Sequence, residues 1–367
     1  MSLPNQPDPQ QYQQLLTEKT AQIQQKFASF GVQKDDLEVY ASAPLNFRLR
    51  AEFRLWHEDE RCYFAMFEPG NKHKAFEVKE FPIASQLINQ LMEKLLVALH
   101  REGEEILRQR LFQVEFLTTL SGDALITLIY HKKLGDEWQL KAEALQAELG
   151  FPIIGRSRKQ KIVLERDYVL ETLNVAGKDY HYKQIEGGFT QPNGEMNQQM
   201  LAWAQSVSEP LQGDLVEMYC GNGNFSVALA GSFDKVLATE ISKTSVNAAQ
   251  YNIEKNNIEN LIIARLSSEE FVQALQGERE FRRLEGIDLG SYNFTTTLVD
   301  PPRAGLDPES VKKTQEYDNI IYISCNPDTL EDNLKTLTET HDIKRFALFD
   351  QFPYTHHIEC GVFLQRR

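Results

Sequence analysis

Hydrophobic and polar positions are spaced differently in the two halves of the chain. In the first half, apolar and polar residues alternate in short segments, most clearly at residues 47–67, where arginines share one face among aromatic neighbours. Alternation over such lengths predicts strands that bury one face. Helical spacing appears at residues 10–30, 84–100 and 137–149. The pattern therefore predicts an α+β domain, built largely on antiparallel strands, over residues 1–187.

The second half alternates short apolar strands with helices, which is typical of a doubly wound, mainly parallel sheet. We therefore predict an α/β protein whose residues 188–367 form a Rossmann-like domain. Strands are expected at residues 215–219, 235–239, 261–264, 296–299, 320–324, 344–348 and 361–364. Helices are expected at residues 196–207, 224–230 and 244–256.

Composition and charge narrow the functional classes. The 367 residues, 41% hydrophobic and 25% charged, suffice for two domains that each have a core. No apolar run could span a membrane and no secretion signal is visible, so we expect a cytoplasmic protein without membrane contact. The formal net charge of -14 argues against a polyanionic partner unless basic residues cluster locally.

The cysteines give one candidate for chemistry. None of the four, Cys62, Cys220, Cys325 and Cys360, belongs to a C-x-x-C pair, so we expect neither a metal nor an iron–sulfur cluster. Cys325 differs from the others because it ends an apolar run and enters a polar SCNP turn, where a thiol can meet a substrate. On this local pattern alone, a buried cysteine without chemistry is the simpler interpretation.

A glycine turn indicates a nucleotide-type ligand. The YCGNG run at residues 219–223 follows a strand and opens a helix, so the backbone can approach a ligand at the helix N-terminus. Ser226 replaces the third glycine of the dinucleotide pattern, which argues against NAD or FAD. Glu240 ends the next strand, where an acid can bind ribose hydroxyls, and Asp300 ends a later one. S-adenosylmethionine, which has a ribose but no phosphate, fits this partial pattern.

Four ordered motifs resemble the signature of the RNA uracil-C5 methyltransferases. They are YCGNG at residues 219–223, DPPR at 300–303, SCNP at 324–327 and HIEC at 357–360. The resemblance covers nearly the whole chain and is strongest to the bacterial tRNA (uracil-5-)-methyltransferase type. It implies an S-adenosylmethionine-dependent methyltransferase domain preceded by an RNA-binding domain. The rRNA-modifying relatives commonly carry a TRAM domain and an iron–sulfur cysteine set, and neither is evident here, which favours a tRNA substrate.

The resemblance also implies roles for individual residues. Cys325 would be the nucleophile and Glu359 the general base. Carbon 5 of uracil is a poor nucleophile, and attack of a thiolate on carbon 6 makes it reactive towards a methyl donor. A carboxylate must then remove the proton from carbon 5 before the thiol can leave. The implied contacts to S-adenosylmethionine are Gln191, Tyr219, Gly221, Asn224, Glu240 and Asp300.

The expected partner is the T-arm of tRNA, with the T-loop of tmRNA as a second candidate substrate and no obligate protein partner. A flipped uridine would be held by stacking and by hydrogen bonds to its edges. Basic and aromatic residues of the first domain, together with one arginine of the DPPR motif, could supply these contacts. The RNA-binding candidates are Arg54, Phe112, His131, Arg156, Lys159 and Arg303.

Other functions remain open at this point. The same chemistry could act on rRNA. The DPPR motif also resembles the loop of N-methyltransferases that act on exocyclic amines, although Arg303 stands where those enzymes have an aromatic residue. A non-catalytic RNA-binding or RNA-folding module would need neither Cys325 nor Glu359. A nicotinamide oxidoreductase would need the full glycine pattern.

Overall fold

The structure, a computed structural model, describes residues 7–59, 61–68 and 71–367. Its helices are α1 (Tyr12–Phe27), α2 (Gln86–Leu99), α3 (Glu105–Arg108), α4 (Asp136–Leu149), α5 (Gly194–Ser208), α6 (Asn224–Leu229), α7 (Lys243–Lys255), α8 (Ser268–Leu275), α9 (Pro308–Thr314) and α10 (Pro327–Leu337). Its strands are β1 (Leu37–Tyr40), β2 (Arg50–Glu58), β3 (Arg61–Glu68), β4 (Asn71–Glu77), β5 (Leu111–Thr118), β6 (Ala124–Tyr130), β7 (Ile153–Ser157), β8 (Gln160–Val163), β9 (Tyr168–Val175), β10 (Lys178–Ile185), β11 (Asp214–Met218), β12 (Val236–Thr239), β13 (Leu261–Ala264), β14 (Phe294–Val299), β15 (Asn319–Ser324), β16 (His341–Phe349) and β17 (Glu359–Arg366).

The first compact unit comprises residues 43–171 and 184–194, together with residues 7–9. Its sheet has the order β4-β3-β2-β5-β6-β7-β8 and is antiparallel except for the β6–β7 pair. Along β2, buried Ala51, Phe53 and Leu55 alternate with the more exposed residues between them, as the sequence pattern predicted. Phe53 packs against Phe64 and Phe116, with ring centroids 5.5 and 6.3 Å away. One face of this sheet is therefore core, and Arg54 lies on the other.

The second compact unit comprises residues 10–42, 172–183 and 195–367. Its sheet has the order β1-β16-β17-β15-β14-β11-β12-β13, and only β17 runs antiparallel to its neighbours. This confirms the predicted α/β class and the doubly wound, mainly parallel sheet. The order of the strands in the sheet reverses direction between β11 and β14. In such sheets, ligands bind beyond the carboxyl ends of the strands at this switch point.

The units differ from the predicted domains of residues 1–187 and 188–367. Residues 10–42 join the second unit because β1 adds to the edge of its sheet, where Leu37 pairs in parallel with Phe346. Apolar spacing shows that a segment forms a helix or a strand, but it does not show which sheet that segment joins. Within the described residues, no helix is both long and apolar enough to cross a membrane.

Candidate active site

The turn after β11 has an unusual backbone. Tyr219, Gly221 and Gly223 all have positive φ, at 66°, 57° and 79°. Glycine adopts this conformation freely, whereas a residue with a side chain is strained by about 1–3 kcal/mol. The strained residue, Tyr219, forms a hydrogen bond of 2.7 Å between its hydroxyl and that of Ser268. Such strain is typical of functional sites, and it holds the Tyr219 ring beside the turn.

Glu240 closes this turn from the neighbouring strand. Its carboxylate accepts the N–H of Gly221 at 3.0 Å and that of Ser242 at 2.7 Å. Each oxygen keeps a second lone pair, so the two oxygens can still accept the two hydroxyls of a ribose. A cavity of about 230 Å³ adjoins them, and its lining includes Tyr219, Ile241, Leu266 and Ser268. These residues fit the adenosine portion of S-adenosylmethionine, the cofactor expected from the sequence.

Two of the expected cofactor contacts, Asn224 and Gln191, are not among the residues that line this cavity. The side-chain amides of Asn224 and Asn197 form a reciprocal pair, with two hydrogen bonds of 2.9 Å. The Asn224 amide is therefore engaged by α5. Gln191 belongs to the first unit, in the segment that precedes α5. For both residues the contact to a cofactor stays a prediction.

Cys325 and Glu359 are brought together by the antiparallel strand β17. Ser324, the last residue of β15, pairs with Cys360 on β17. Cys325 and Glu359 are the next residues beyond this last pair. Besides burial, the charge of Glu359 raises the pKa of the Cys325 thiol, as expected for groups that lie near each other. The thiol and the carboxylate therefore lie close together at the carboxyl end of β15.

The loops after β14 and β15 are joined by hydrogen bonds. The side-chain amide of Asn326 donates to the carbonyl of Arg303 at 2.9 Å. The side-chain oxygen of Asn326 also caps α10 by accepting the N–H of Asp328. The exposed guanidinium of Arg303 lies 3.3 Å from Nδ1 of His357, and this carries the network on to the segment before β17. The DPPR, SCNP and HIEC motifs therefore meet at one edge of the sheet.

Three ionisable groups of this site influence one another. Burial, followed by the charges of Glu359 and Asp300, raises the pKa of the Cys325 thiol to about 11. Burial raises the pKa of Asp300 to about 7. Burial and the charge of Asp300 raise the pKa of Glu359 well above its ordinary value. The site thus disfavours additional negative charge, and a cation that enters it will favour ionisation of all three groups.

We expect iodoacetamide to alkylate Cys325 slowly at neutral pH. With its pKa raised to about 11, the thiol is almost fully protonated. Its alkylation at pH 7.5 should be roughly 300-fold slower than that of a free thiol of pKa ~8.5, in proportion to the thiolate fraction, and should accelerate up to about pH 11. Mass spectrometry of the modified peptide gives the rate. Cys325→Ala serves as the control, because the other cysteines are buried. Alkylation at pH 7.5 as fast as that of free cysteine would contradict the expected environment.

Sequence reasoning missed Lys19, which supports the segment that leads to Glu359. Its ammonium group is buried and lies 2.6 Å from Asp350 Oδ1, and it donates to the carbonyls of Phe352 and His357 at 2.9 and 3.1 Å. Three points on one loop are thus fixed by a single side chain. The available signal was its position on the otherwise apolar buried face of α1.

We expect Lys19→Met to lower the free energy of unfolding by about 3–5 kcal/mol, because it leaves the carboxylate of Asp350 buried and unpaired. Lys19→Met/Asp350→Asn should recover part of this loss. Lys26→Met is the matched control on the same helix. Its partners Asp328 and Glu331 are 83% and 30% exposed, and pairs that solvent reaches contribute about 0–1 kcal/mol. Thermal unfolding midpoints measure all three proteins, and equal midpoints for Lys19→Met and wild type would contradict the expectation.

Three of the RNA-binding candidates form one stack in the first unit. The Arg54 guanidinium lies 3.6 Å from the ring centroid of Phe112. The Phe112 ring in turn stacks on His131, with centroids 3.8 Å apart and an interplanar angle of 26°. These residues come from different strands or strand ends. The sequence named them as separate candidates, and the structure brings their side chains into contact.

Arg156 has a partner within the chain. Its guanidinium donates two hydrogen bonds to Glu186, at 2.6 and 2.5 Å, and Lys161 lies 3.3 Å from the same carboxylate. Burial would raise the pKa of Glu186, but the hydrogen bonds from Arg156 outweigh it and keep this pKa low. Glu186 thus neutralises part of the positive charge of Arg156 and Lys161.

Lys159 lies in different surroundings from Arg156. It is exposed and has a φ of 60° in the turn between β7 and β8. It borders a basic cavity of about 440 Å³ lined by Lys132, Lys133, Ser157, Arg158, Lys159 and Gln160. An RNA backbone binds to local positive charge of this kind. The net negative charge of the whole chain does not reveal such a cluster.

Comparison with known proteins gives concordant matches. A family model described as tRNA (Uracil-5-)-methyltransferase matches residues 11–367. A tRNA/tmRNA (uracil-C(5))-methyltransferase from Colwellia psychrerythraea is 55% identical over 363 residues, 98% of each chain. One from Cellvibrio japonicus is 56% identical over 356 residues, 97% of this chain and 96% of that relative. The crystal structure of Pyrococcus abyssi tRNA (uracil-54, C5)-methyltransferase in complex with S-adenosyl-L-homocysteine shares the fold, with a TM-score of 0.70 at 21% identity, covering 96% of this chain and 83% of that chain.

Proposed function

Because the chain belongs to the tRNA (uracil-5-)-methyltransferase family, we propose that it converts a uridine in the T-loop of tRNA to 5-methyluridine through Cys325 and Glu359. Family membership confirms the resemblance seen in the sequence and makes the protein an S-adenosylmethionine-dependent methyltransferase that acts on uracil in tRNA. The observation that carries the residue assignment is the register of β15 and β17, in which Ser324 pairs with Cys360. This register supports the proposal because it brings the proposed nucleophile and the proposed base to the same end of two paired strands.

The proposed reaction uses the two groups in turn. The Cys325 thiolate forms a bond to carbon 6 of uracil, and the electron pair of the ring double bond moves to give an enolate. S-adenosylmethionine would supply the electrophilic methyl group that carbon 5 then takes, and its sulfur would keep the electron pair of the broken bond and leave as the neutral thioether S-adenosylhomocysteine. The Glu359 carboxylate removes the remaining proton from carbon 5, and the resulting electron pair expels the Cys325 thiolate. The proton is then on Glu359, and its release to solvent returns the enzyme to its starting form.

The charges of the site suit this sequence of steps. In the protein alone, burial and the neighbouring acids Glu359 and Asp300 raise the pKa of Cys325 to about 11. The positive charge of a sulfonium would favour the ionised forms of all three groups, so cofactor binding and thiol activation would be coupled. Tyr219, Gly221, Glu240 and Asp300 are the residues that we assign to the cofactor, with Gln191 and Asn224 retained as predicted contacts.

We assign the RNA contacts to exposed basic and aromatic groups. The Arg54–Phe112–His131 stack offers a flat surface for an unpaired base. Lys159 and its basic neighbours suit the phosphate backbone, and Arg303 lies beside the catalytic loop. Arg156 is the weakest of the predicted contacts because Glu186 engages it. The T-loop of tmRNA is a second proposed substrate, and we propose that the reaction takes place in the cytoplasm.

Transfer of labelled methyl groups from S-adenosylmethionine to unmodified tRNA tests this proposal. One tRNA keeps its T-loop uridines, and a second has cytidine at the candidate position. Methylation of the first tRNA alone is expected. Methylation of rRNA but not of tRNA would keep the chemistry and overturn the substrate. Methylation of both tRNAs at an exocyclic amine would overturn the assigned position on the base.

A further inference from the structure

An exposed tryptophan lies beside the Arg54–Phe112–His131 stack. Trp56 is 37% exposed, and its ring meets Phe67 edge to face at 6.1 Å and 71°. Tryptophan carries a large apolar surface, and a soluble protein usually covers most of it. Trp56 shares the outward face of β2 with Arg54, because the two are separated by one residue and side chains alternate along a strand.

The spacing of these two side chains suits successive nucleobases. Side chains two positions apart on a strand are about 6.6 Å apart, so Trp56 and Arg54 form adjacent platforms on one face. The residue opposite Arg54 on β3 is Ala65, which is only 1% exposed, so larger neighbouring side chains cover it. Both platforms border a cavity of about 780 Å³ whose lining includes Arg54, Trp56, Ala65, Phe67, Phe112 and Gln113.

The polar groups of this cavity favour RNA over an apolar protein segment. Nη1 of Arg54 is buried and has no hydrogen-bond partner among the described residues, so it calls for an acceptor from a ligand. The nearby acids Glu52 and Glu115 each have a partner within the chain. Gln113 donates to Glu52 at 3.2 Å, and Arg50 lies 3.8 Å from Glu115. A cationic donor between aromatic rings fits a nucleobase, which offers acceptors at its edge and a flat face for stacking.

We propose that Trp56 and Phe67 form a second nucleobase site on the open face of the first sheet. It takes an unpaired base next in sequence to the one on the Arg54–Phe112–His131 stack. The inference rests on the proposed function, since it takes an RNA with unpaired nucleotides as the ligand. The enzyme would then bind two nucleobases of its substrate in addition to the uracil that reacts.

Intrinsic fluorescence offers a direct test because the other tryptophans are buried. The chain has three tryptophans, and Trp138 and Trp203 are each 1% exposed. Titration of the whole protein with unmodified T-arm RNA should quench the emission of Trp56, and Trp56→Phe should lose this change while binding RNA nearly as well. A fully paired duplex of similar composition should cause little quenching.

Trp56→Ala should raise the KM for tRNA by about 5- to 150-fold, which corresponds to the ~1–3 kcal/mol measured per stacked base. Leu140→Ala is the matched control, since Leu140 is an exposed apolar residue of the same unit, on α4. Circular dichroism verifies folding. If Trp56→Ala fails to fold, the loss of RNA-dependent quenching in Trp56→Phe still tests whether RNA contacts Trp56. Wild-type affinity in Trp56→Ala, or RNA binding by the wild type without quenching, would overturn the second site. A wild-type protein that methylates no tRNA would overturn the proposed function instead.

Discussion

Replacement of Cys325 by alanine is expected to abolish methyl transfer to tRNA while S-adenosylmethionine still binds. Without the thiolate, carbon 5 of uracil is not converted to an enolate, and neither Glu359 nor Asp300 can replace the bond to carbon 6. Loss of a catalytic nucleophile lowers turnover by on the order of 10⁴-fold or more. Turnover with labelled donor gives the activity, and calorimetric titration with S-adenosylmethionine gives the affinity.

Cys62→Ala is the matched control for this substitution. Cys62 is a buried cysteine of the first unit and has no proposed part in the chemistry. This variant should retain most of the activity. If Cys325→Ala kept a tenth or more of the wild-type rate, a reaction without covalent catalysis would be the better explanation, and the N-methyltransferase alternative would return.

Replacement of Glu359 by glutamine is expected to trap the enzyme on its RNA. Glutamine keeps the shape of the side chain but cannot take the proton from carbon 5, so Cys325 cannot leave carbon 6. A methylated RNA–protein adduct should accumulate and appear as a slow band on a denaturing gel. Turnover should fall by about 10²- to 10⁴-fold, the usual contribution of a general base.

The pH dependence separates this role from a structural one. Burial and the charge of Asp300 raise the pKa of Glu359 well above its ordinary value. A base must be deprotonated to act, so in the wild type release of the adduct should slow as the pH falls through that raised pKa. Release in Glu359→Gln should be slow at every pH. Cys325→Ala/Glu359→Gln should give no adduct, and an adduct in that protein would refute the assigned bond.

Local sequence patterns could predict elements but not their long-range partners. The alternation of strands and helices suffices to predict the parallel sheet, since each strand of such a sheet is a short apolar run. The meeting of Cys325 with Glu359 depends on β17 lying antiparallel between β15 and β16, which no local signal shows. The roles of Cys325 and Glu359 came only from the resemblance to a family, whereas the glycine turn together with Glu240 indicated the cofactor without it.

Charged residues illustrate the same limit. Arg156 belongs to the densest basic cluster of the sequence, yet its partner Glu186 lies 30 positions away. Lys19 stands on an apolar helix face, and its partner Asp350 lies 331 positions away. A sequence shows where a charge is, whereas its role depends on whether the fold brings an opposite charge to it.

The pairing of β1 with β16 has a consequence for synthesis on the ribosome. β1 emerges early, and the strand it pairs with emerges about 300 residues later, after residues 43–171 and 184–194 of the inserted unit. At about 5–20 residues per second, the wait is on the order of 15–60 s. During that time α1 exposes its apolar face and β1 its unpaired amides, which makes the nascent chain prone to aggregation. The inserted unit can fold during this interval, so we expect chaperones to be needed mainly for residues 10–42.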